Sequence, residues 1–146
     1  MLLSKSCEYG IRATIYLTLL QEGDGYVSIR KVSEDLDISF HFLTKIFQKL
    51  TQAGLLISLK GPNGGVKLAK DSAAISMSDL VVAVDGDTLF KACMLGLPGC
   101  GEVQPCPLHD AWAQQRASLK ALFDSTNLEE LAADAQLLNV RLKATV

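Results

Sequence analysis

Residues 28–70 read SIRKVSEDLDISFHFLTKIFQKLTQAGLLISLKGPNGGVKLAK, and their pattern decides the fold. Ser28 is suited to a helix N-cap, and Ile29, Val32 and Leu36 follow it at the spacing of one buried helical stripe. Asp37 and Ile38 leave a very short connection before Ser39 caps the next helix, so the two helices must cross steeply. That next helix is expected from about Phe40 to Ala53. It buries Leu43, Ile46, Phe47 and Leu50 and turns His41, Thr44, Lys45, Gln48, Lys49 and Gln52 outward. Gly54 stops it. Leu55–Leu59 and Val66–Ala69 are short apolar, strand-like runs around Lys60-Gly61-Pro62-Asn63-Gly64-Gly65, the composition of a hairpin with a flexible basic tip. A helix-turn-helix followed by such a hairpin predicts a winged helix.

Working outward, Ile11, Ala13, Ile15, Tyr16, Leu19 and Leu20 recur at helical spacing from Ser4 to Gln21, and Gly23 ends that helix. After Lys70 the box Ser76-Met77-Ser78-Asp79 opens a short helix to Val84. An irregular segment rich in Cys, Gly and Pro runs from Lys91 to Pro107, and a helix follows from Leu108 to about Phe123. The box Thr126-Asn127-Leu128-Glu129 begins a last helix towards Val140. The expected fold is mainly α with a small β-hairpin wing. A winged helix-turn-helix domain fills 1–70, a short helix and cysteine loop fill 71–107, and a long helix and C-terminal helix fill 108–146.

Charge separates along the same division. The 146 residues carry a net −2, yet nine basic and six acidic residues up to Lys70 leave +3 there, and the remainder carries −5. From Ile38 to Lys70 five lysines meet no Asp or Glu, a footprint suited to phosphate and, taken alone, equally to a solvated face. No apolar stretch is long enough to span a bilayer, and the N-terminus lacks the features of a secretory signal, so a cytoplasmic protein is expected. Thiols stay reduced there, which points the four cysteines towards metal binding or redox sensing and away from a disulfide framework.

A recognition helix reads base edges near its N-terminus, while the wing touches phosphates. Ser39, His41, Thr44 and Lys45 are placed for base edges of double-stranded DNA, and Lys49, further along, for backbone oxygens. Lys60, Asn63 and Gly64 fall on the wing, where glycine lets the main chain approach the sugar-phosphate rail. Singly each has a duller explanation: His41 as a surface side chain, Gly64-Gly65 as a plain turn. Together they point to nucleic acid.

The second constellation is Cys93-x6-Cys100-x5-Cys106-x2-His109, in a loop kept irregular by glycines and prolines. Three thiolates and an imidazole make a four-ligand set suited to an iron-sulfur cluster or zinc. Structural zinc sites usually pair ligands at shorter spacing, so these intervals favour an object larger than one ion. Cys7, in the first helix, reads as a packing residue.

These residues resemble the Rrf2 family of winged-helix repressors, most closely its IscR-like members. The likeness is strongest in Ile38-Ser39, in Ala53-Gly54-Leu55-Leu56-Ile57-Ser58-Leu59-Lys60-Gly61-Pro62-Asn63-Gly64-Gly65 and in Cys93, Cys100 and Cys106, and Ser4 and Tyr9 match the family's opening. It implies a homodimer built on the helix after the cysteine loop, with each subunit on half of a palindromic operator. It also implies a 2Fe-2S cluster in preference to a 4Fe-4S one, with His109 as fourth ligand. Glu8 is the alternative fourth ligand, at the position from which the family's nitric-oxide sensors supply a carboxylate. The sequence departs from the IscR-like pattern in a first cysteine interval longer by one residue and in Thr44, where an acidic residue can stand.

The leading expectation is therefore a repressor whose DNA binding follows iron-sulfur status or redox state. The rivals are a nitric-oxide-sensing cluster repressor and a zinc-bound or metal-free regulator answering a partner or thiol oxidation. An enzyme or electron carrier is not expected, since no nucleotide loop or catalytic dyad accompanies the cysteines.

Overall fold

Ser4 sets the first helix. Its hydroxyl accepts the Cys7 N–H at 3.1 Å, while its own N–H donates to the Asp85 carboxylate at 2.9 Å and its hydroxyl to the same group. Helix α1 (Lys5–Leu20) thus starts tied to the end of α4 (Met77–Asp85). The computed structural model describes residues 2–101, 103–137 and 142. Gly10 brings α1 close to the recognition helix, because a Cβ there would lie 3.0 Å from Ile46 Cγ2.

Ser28 caps α2 (Ile29–Leu36) through the Lys31 N–H, and α3 (Phe40–Gln52) follows after three residues. The tight connection is made by Asp37, the one positive-φ residue other than glycine among the described residues, at φ 55°. Asp tolerates this left-handed conformation better than most residues. It turns the Ile38 N–H onto Ser33 O at 2.9 Å and sinks the Ile38 side chain into the core. Ser39 holds the N-cap position of α3 without making a side-chain cap bond. Leu43, Ile46, Phe47 and Leu50 are buried, as the periodicity requires.

The wing pairs β1 (Leu56–Leu59) with β2 (Gly65–Leu68) antiparallel, with Leu56 opposite Leu68 and Leu59 opposite Gly65. Val27 exchanges both backbone hydrogen bonds with Val66, at 2.8 and 2.9 Å, which fixes the hairpin to the segment before α2. Two glycines are required here. A Cβ on Gly64 would overlap the Leu59 carbonyl oxygen, and one on Gly65 the Val27 carbonyl oxygen.

Beyond a 3-10 turn (Ser72–Ala74), the capping box at Ser76 and Asp79 opens α4 as expected. A short helix α5 (Thr88–Lys91), which periodicity over four residues cannot reveal, leads into the cysteine loop. Helix α6 (His109–Ser125) leaves the loop and α7 (Leu128–Leu137) closes the fold. The expected box at Thr126 is not the α7 cap: Asn127 Oδ1 accepts the Glu130 N–H at 2.9 Å, whereas Thr126 Oγ1 donates back to Leu122 O. Asn is at least as good an N-cap as Thr, so the start moves by one residue. The expected continuation to Val140 lies outside the described residues.

Buried side chains from Cys7 through Phe47 and Val66 to Leu80, Phe123, Leu128 and Ala132 form one core, so the expected divisions share a single hydrophobic interior. On α6 only Phe123 is buried; Leu108 and Leu122 are 46% and 58% exposed. Among the described residues no helix is long and apolar enough to cross a membrane.

Candidate DNA interface and thiolate centre

Helix α3 and the wing enclose an open cleft of about 750 Å³ whose walls include Thr44, Gln48 and Thr51 on one side and Leu59, Lys60 and Gly64 on the other. Ser39, His41 and Lys45 are exposed near the N-terminal end of α3, and Asn63 at the wing tip. Thr44 Oγ1 donates to Phe40 O at 2.8 Å, leaving its methyl and oxygen lone pairs for a ligand. Of the eight residues expected at DNA, Thr44, Lys60 and Gly64 line this cleft, while Ser39, His41, Lys45 and Asn63 are exposed without lining it. Lys49 points elsewhere: its ammonium donates to Val84 O at 3.1 Å, at the C-terminal end of α4 where the helix dipole favours a cation. The cleft also includes Ser28, Arg30 and Gln52, and Ser28 and Arg30 were not singled out by the sequence.

The second site lies between α5 and α6. Cys93 and Cys106 place their sulfurs 3.8 Å apart, and Cys100 Sγ lies 3.4 Å from His109 Nδ1. The four expected ligands thus gather in one place, with Cys93 also interacting with Cys100. The three thiols are unpaired by disulfides and half-buried. Cys106 lies three residues before the start of α6, its carbonyl accepting the His109 N–H at 2.9 Å. Backbone N–H groups of Leu97 and Leu95, aided by Cys106 and Cys100, hold the Cys93 thiol below its ordinary range. Burial, and then the neighbouring Cys93, push Cys100 up, with the Arg116 guanidinium opposing.

Three residues that the sequence did not reveal build this centre. Arg116 donates to Cys100 Sγ at 3.8 Å, to Ala92 O at 3.0 Å and to Lys91 O, so one guanidinium on α6 holds both ends of the loop's first half. Trp112 Nε1 donates to Ala92 O at 2.9 Å. Gly101, at φ 86°, makes room for the His109 ring. Basic and aromatic residues seven and three positions past a helix start carry no such message in one sequence. Glu8 is elsewhere, paired with Lys5 at 2.8 Å on α1.

The donor set fits an iron-sulfur cluster. A separation of 3.8 Å is the edge of a tetrahedron with metal–sulfur bonds of about 2.3 Å. Among the described residues no three His, Cys, Asp or Glu side chains converge as they would on one ion. Three thiolates and an imidazole are soft donors of the kind that would hold an iron-sulfur cluster.

Comparisons with known proteins agree with the shape. The Rrf2 family model, described as an iron-dependent transcriptional regulator, matches residues 3–134. The HTH-type transcriptional regulator IscR of Yersinia enterocolitica is 30% identical over 140 residues, covering 96% of this chain and 84% of that relative. CymR, the global cysteine regulator of B. subtilis, superposes with a TM-score of 0.73 at 27% identity, over 90% of this chain and 95% of that one. IscR of T. potens superposes with a TM-score of 0.73 at 24% identity, over 95% and 91% of the two chains, and adds support to the fold alone. This chain belongs to the Rrf2 family and is a DNA-binding transcriptional regulator, not an enzyme.

Proposed function

We propose that this regulator works in the cytoplasm as a homodimeric repressor on palindromic double-stranded DNA, and that a 2Fe-2S cluster on Cys93, Cys100, Cys106 and His109 sets its affinity for the operator. The observation that carries the reading is the meeting of three thiols and an imidazole, with Cys93 Sγ 3.8 Å from Cys106 Sγ and Cys100 Sγ 3.4 Å from His109 Nδ1. The relatives named IscR support the choice of an iron-sulfur group. When bound, the cluster supplies a redox couple and a reactive target for oxidants or nitric oxide.

The chain's own residues do the rest. Leu95 and Leu97 N–H groups and the Arg116 guanidinium stabilise anionic sulfur on either side of the centre. His109 is both a ligand and the first residue of α6, so a change at the imidazole bears directly on the start of that helix. Exposed Leu108, just before α6, and Leu122 on it supply apolar surface for a second subunit. A shift of α6 in a dimer re-spaces the two winged helices, and operator affinity follows if the two states bind DNA unequally. Ser39, His41, Thr44 and Lys45 meet base edges and Lys60, Asn63 and Gly64 meet the backbone. Lys49 instead braces α3 on α4.

A second reading, a cluster-free thiol switch, draws on the same 3.8 Å separation of Cys93 and Cys106 and on the likeness to CymR. Anaerobic purification with iron, sulfide and visible-absorption analysis separates the two. Equal iron and sulfide with a visible band that is lost in each of Cys93→Ala, Cys100→Ala and Cys106→Ala supports the cluster. A colourless wild-type protein without iron supports the thiol switch, and colourless protein with one zinc per chain supports neither.

A further inference from the structure

The first turn of α2 holds two cations, Arg30 and Lys31, and no acid. That arrangement opposes the helix dipole, which favours negative charge at this end. Lys31 is compensated one turn on by Asp35, at 2.9 Å. Arg30 is not: among the described residues it forms no ion pair, although Glu34 stands at the spacing that could provide one. Its guanidinium instead lies over the ring of Phe40, 4.5 Å from the centroid. The next residue, His41, sets its ring edge-on to Phe40, with centroids 5.7 Å apart at 70°. Phe40, the first residue of the recognition helix, thus stands between a guanidinium from α2 and an imidazole from α3.

The stack sits on the rim of the DNA cleft, since Arg30 and Phe40 line it together with Thr44 and, across it, Lys60. A guanidinium with one face on an aromatic ring keeps its edge donors free and loses little freedom when they are used. Those donors suit a bidentate contact to phosphate oxygens. Such a cation, set against its own helix dipole and without a carboxylate partner, is free to take a counter-anion, and DNA bound in the cleft supplies one.

We propose that Arg30 is a DNA-phosphate contact of this regulator and that Phe40 is a positioning residue, fixing Arg30 for the backbone and His41 for a base edge. Lys60 on the wing and Arg30 on α2 then hold sugar-phosphate on the two sides of the cleft while α3 reads the bases between them. The inference rests on DNA binding by this winged helix and is independent of what the cysteines hold.

The test uses full-length protein stripped of metal and a mixed-sequence DNA duplex, with affinity measured over a range of salt concentrations. Arg30→Gln should weaken binding roughly five- to tenfold and lower the salt slope by about one unit. Arg30→Lys should keep the wild-type slope and still lose about threefold, because it retains the charge without the planar fork. Phe40→Leu keeps an apolar residue at the helix start. It should leave the slope unchanged, lower affinity, and relax sequence preference in selection from a random library, with thermal stability near wild type. A wild-type slope and affinity in Arg30→Gln would overturn the contact. Wild-type affinity in Arg30→Lys together with wild-type selectivity in Phe40→Leu would overturn the role of the stack. If neither the stripped nor the loaded wild-type protein bound duplex, the proposal would fail together with the assignment of the cleft.

Discussion

The imidazole of His109 occupies the space that a side chain on Gly101 would need: a Cβ built there would fall within 2.5 Å of Nε2 and still closer to Cε1. The His109 ring is therefore seated by the absence of a side chain on the residue that follows Cys100. Gly101→Ala should expel the imidazole without removing any ligand. It should mimic His109→Ala, giving a pigment that forms and then bleaches faster than wild type, while the cysteine substitutions give none. Bleaching rates under air, with the three thiols counted in stripped protein, check this. A wild-type rate in Gly101→Ala would show that His109 takes another position when the centre is loaded.

Lys49 and Lys60 look alike in the sequence, both lysines in a segment free of acids. They differ in three dimensions, since Lys49 donates to Val84 O and Lys60 lines the cleft. Lys60→Ala should reduce the salt slope of DNA binding by about one unit. Lys49→Met should leave the slope alone and lower stability by roughly 0.5–1 kcal/mol through the lost contact with the α4 C-terminus. Denaturant melts and salt titrations on the same preparations separate the two effects.

The helix-turn-helix was legible because its signals are local. Ser28, the Val32–Leu36 stripe, the acid-free run and the glycines of the wing each act over a few residues, and α2, α3 and the hairpin stand where those signals put them. Cys93, Cys100, Cys106 and His109 were legible as a group for the same reason, and the fold brings their side chains together. Lys49 was not, because the carbonyl that claims it is thirty-five residues away on α4. Arg30, Arg116 and Gly101 were hidden for a related reason: each acts on a partner from another element or across a loop, and helical periodicity says nothing of which side chain will meet which. Helix α5 is too short to carry a period at all.

Cys7 offers a test that depends on pH. It is fully buried, and burial first, then Asp85, raise its thiol from an ordinary 9.0 to about 12. The folded pKa lies above the unfolded one, so the stabilisation is complete below pH 9 and is lost as pH rises towards 12. Wild-type protein should lose stability through that window more steeply than Cys7→Ala, by at most about 1.4 kcal/mol per pH unit. At neutral pH, iodoacetamide should label the three loop cysteines of stripped protein and spare Cys7, as peptide mapping would show. Rapid native labelling of Cys7 would mean that α1 opens readily from α4.

The most direct measurement is the affinity of one operator duplex, selected from a random library, for wild-type protein with its cluster intact and for the same preparation after the cluster has been stripped under anaerobic conditions, at one salt concentration. The two states should differ by about tenfold or more, corresponding to a coupling of at least about 1.4 kcal/mol. Cys93→Ala should bind like the stripped form throughout. Equal affinities for the loaded and stripped proteins, with iron and sulfide verified in the first, would contradict control of DNA binding by the thiolate centre.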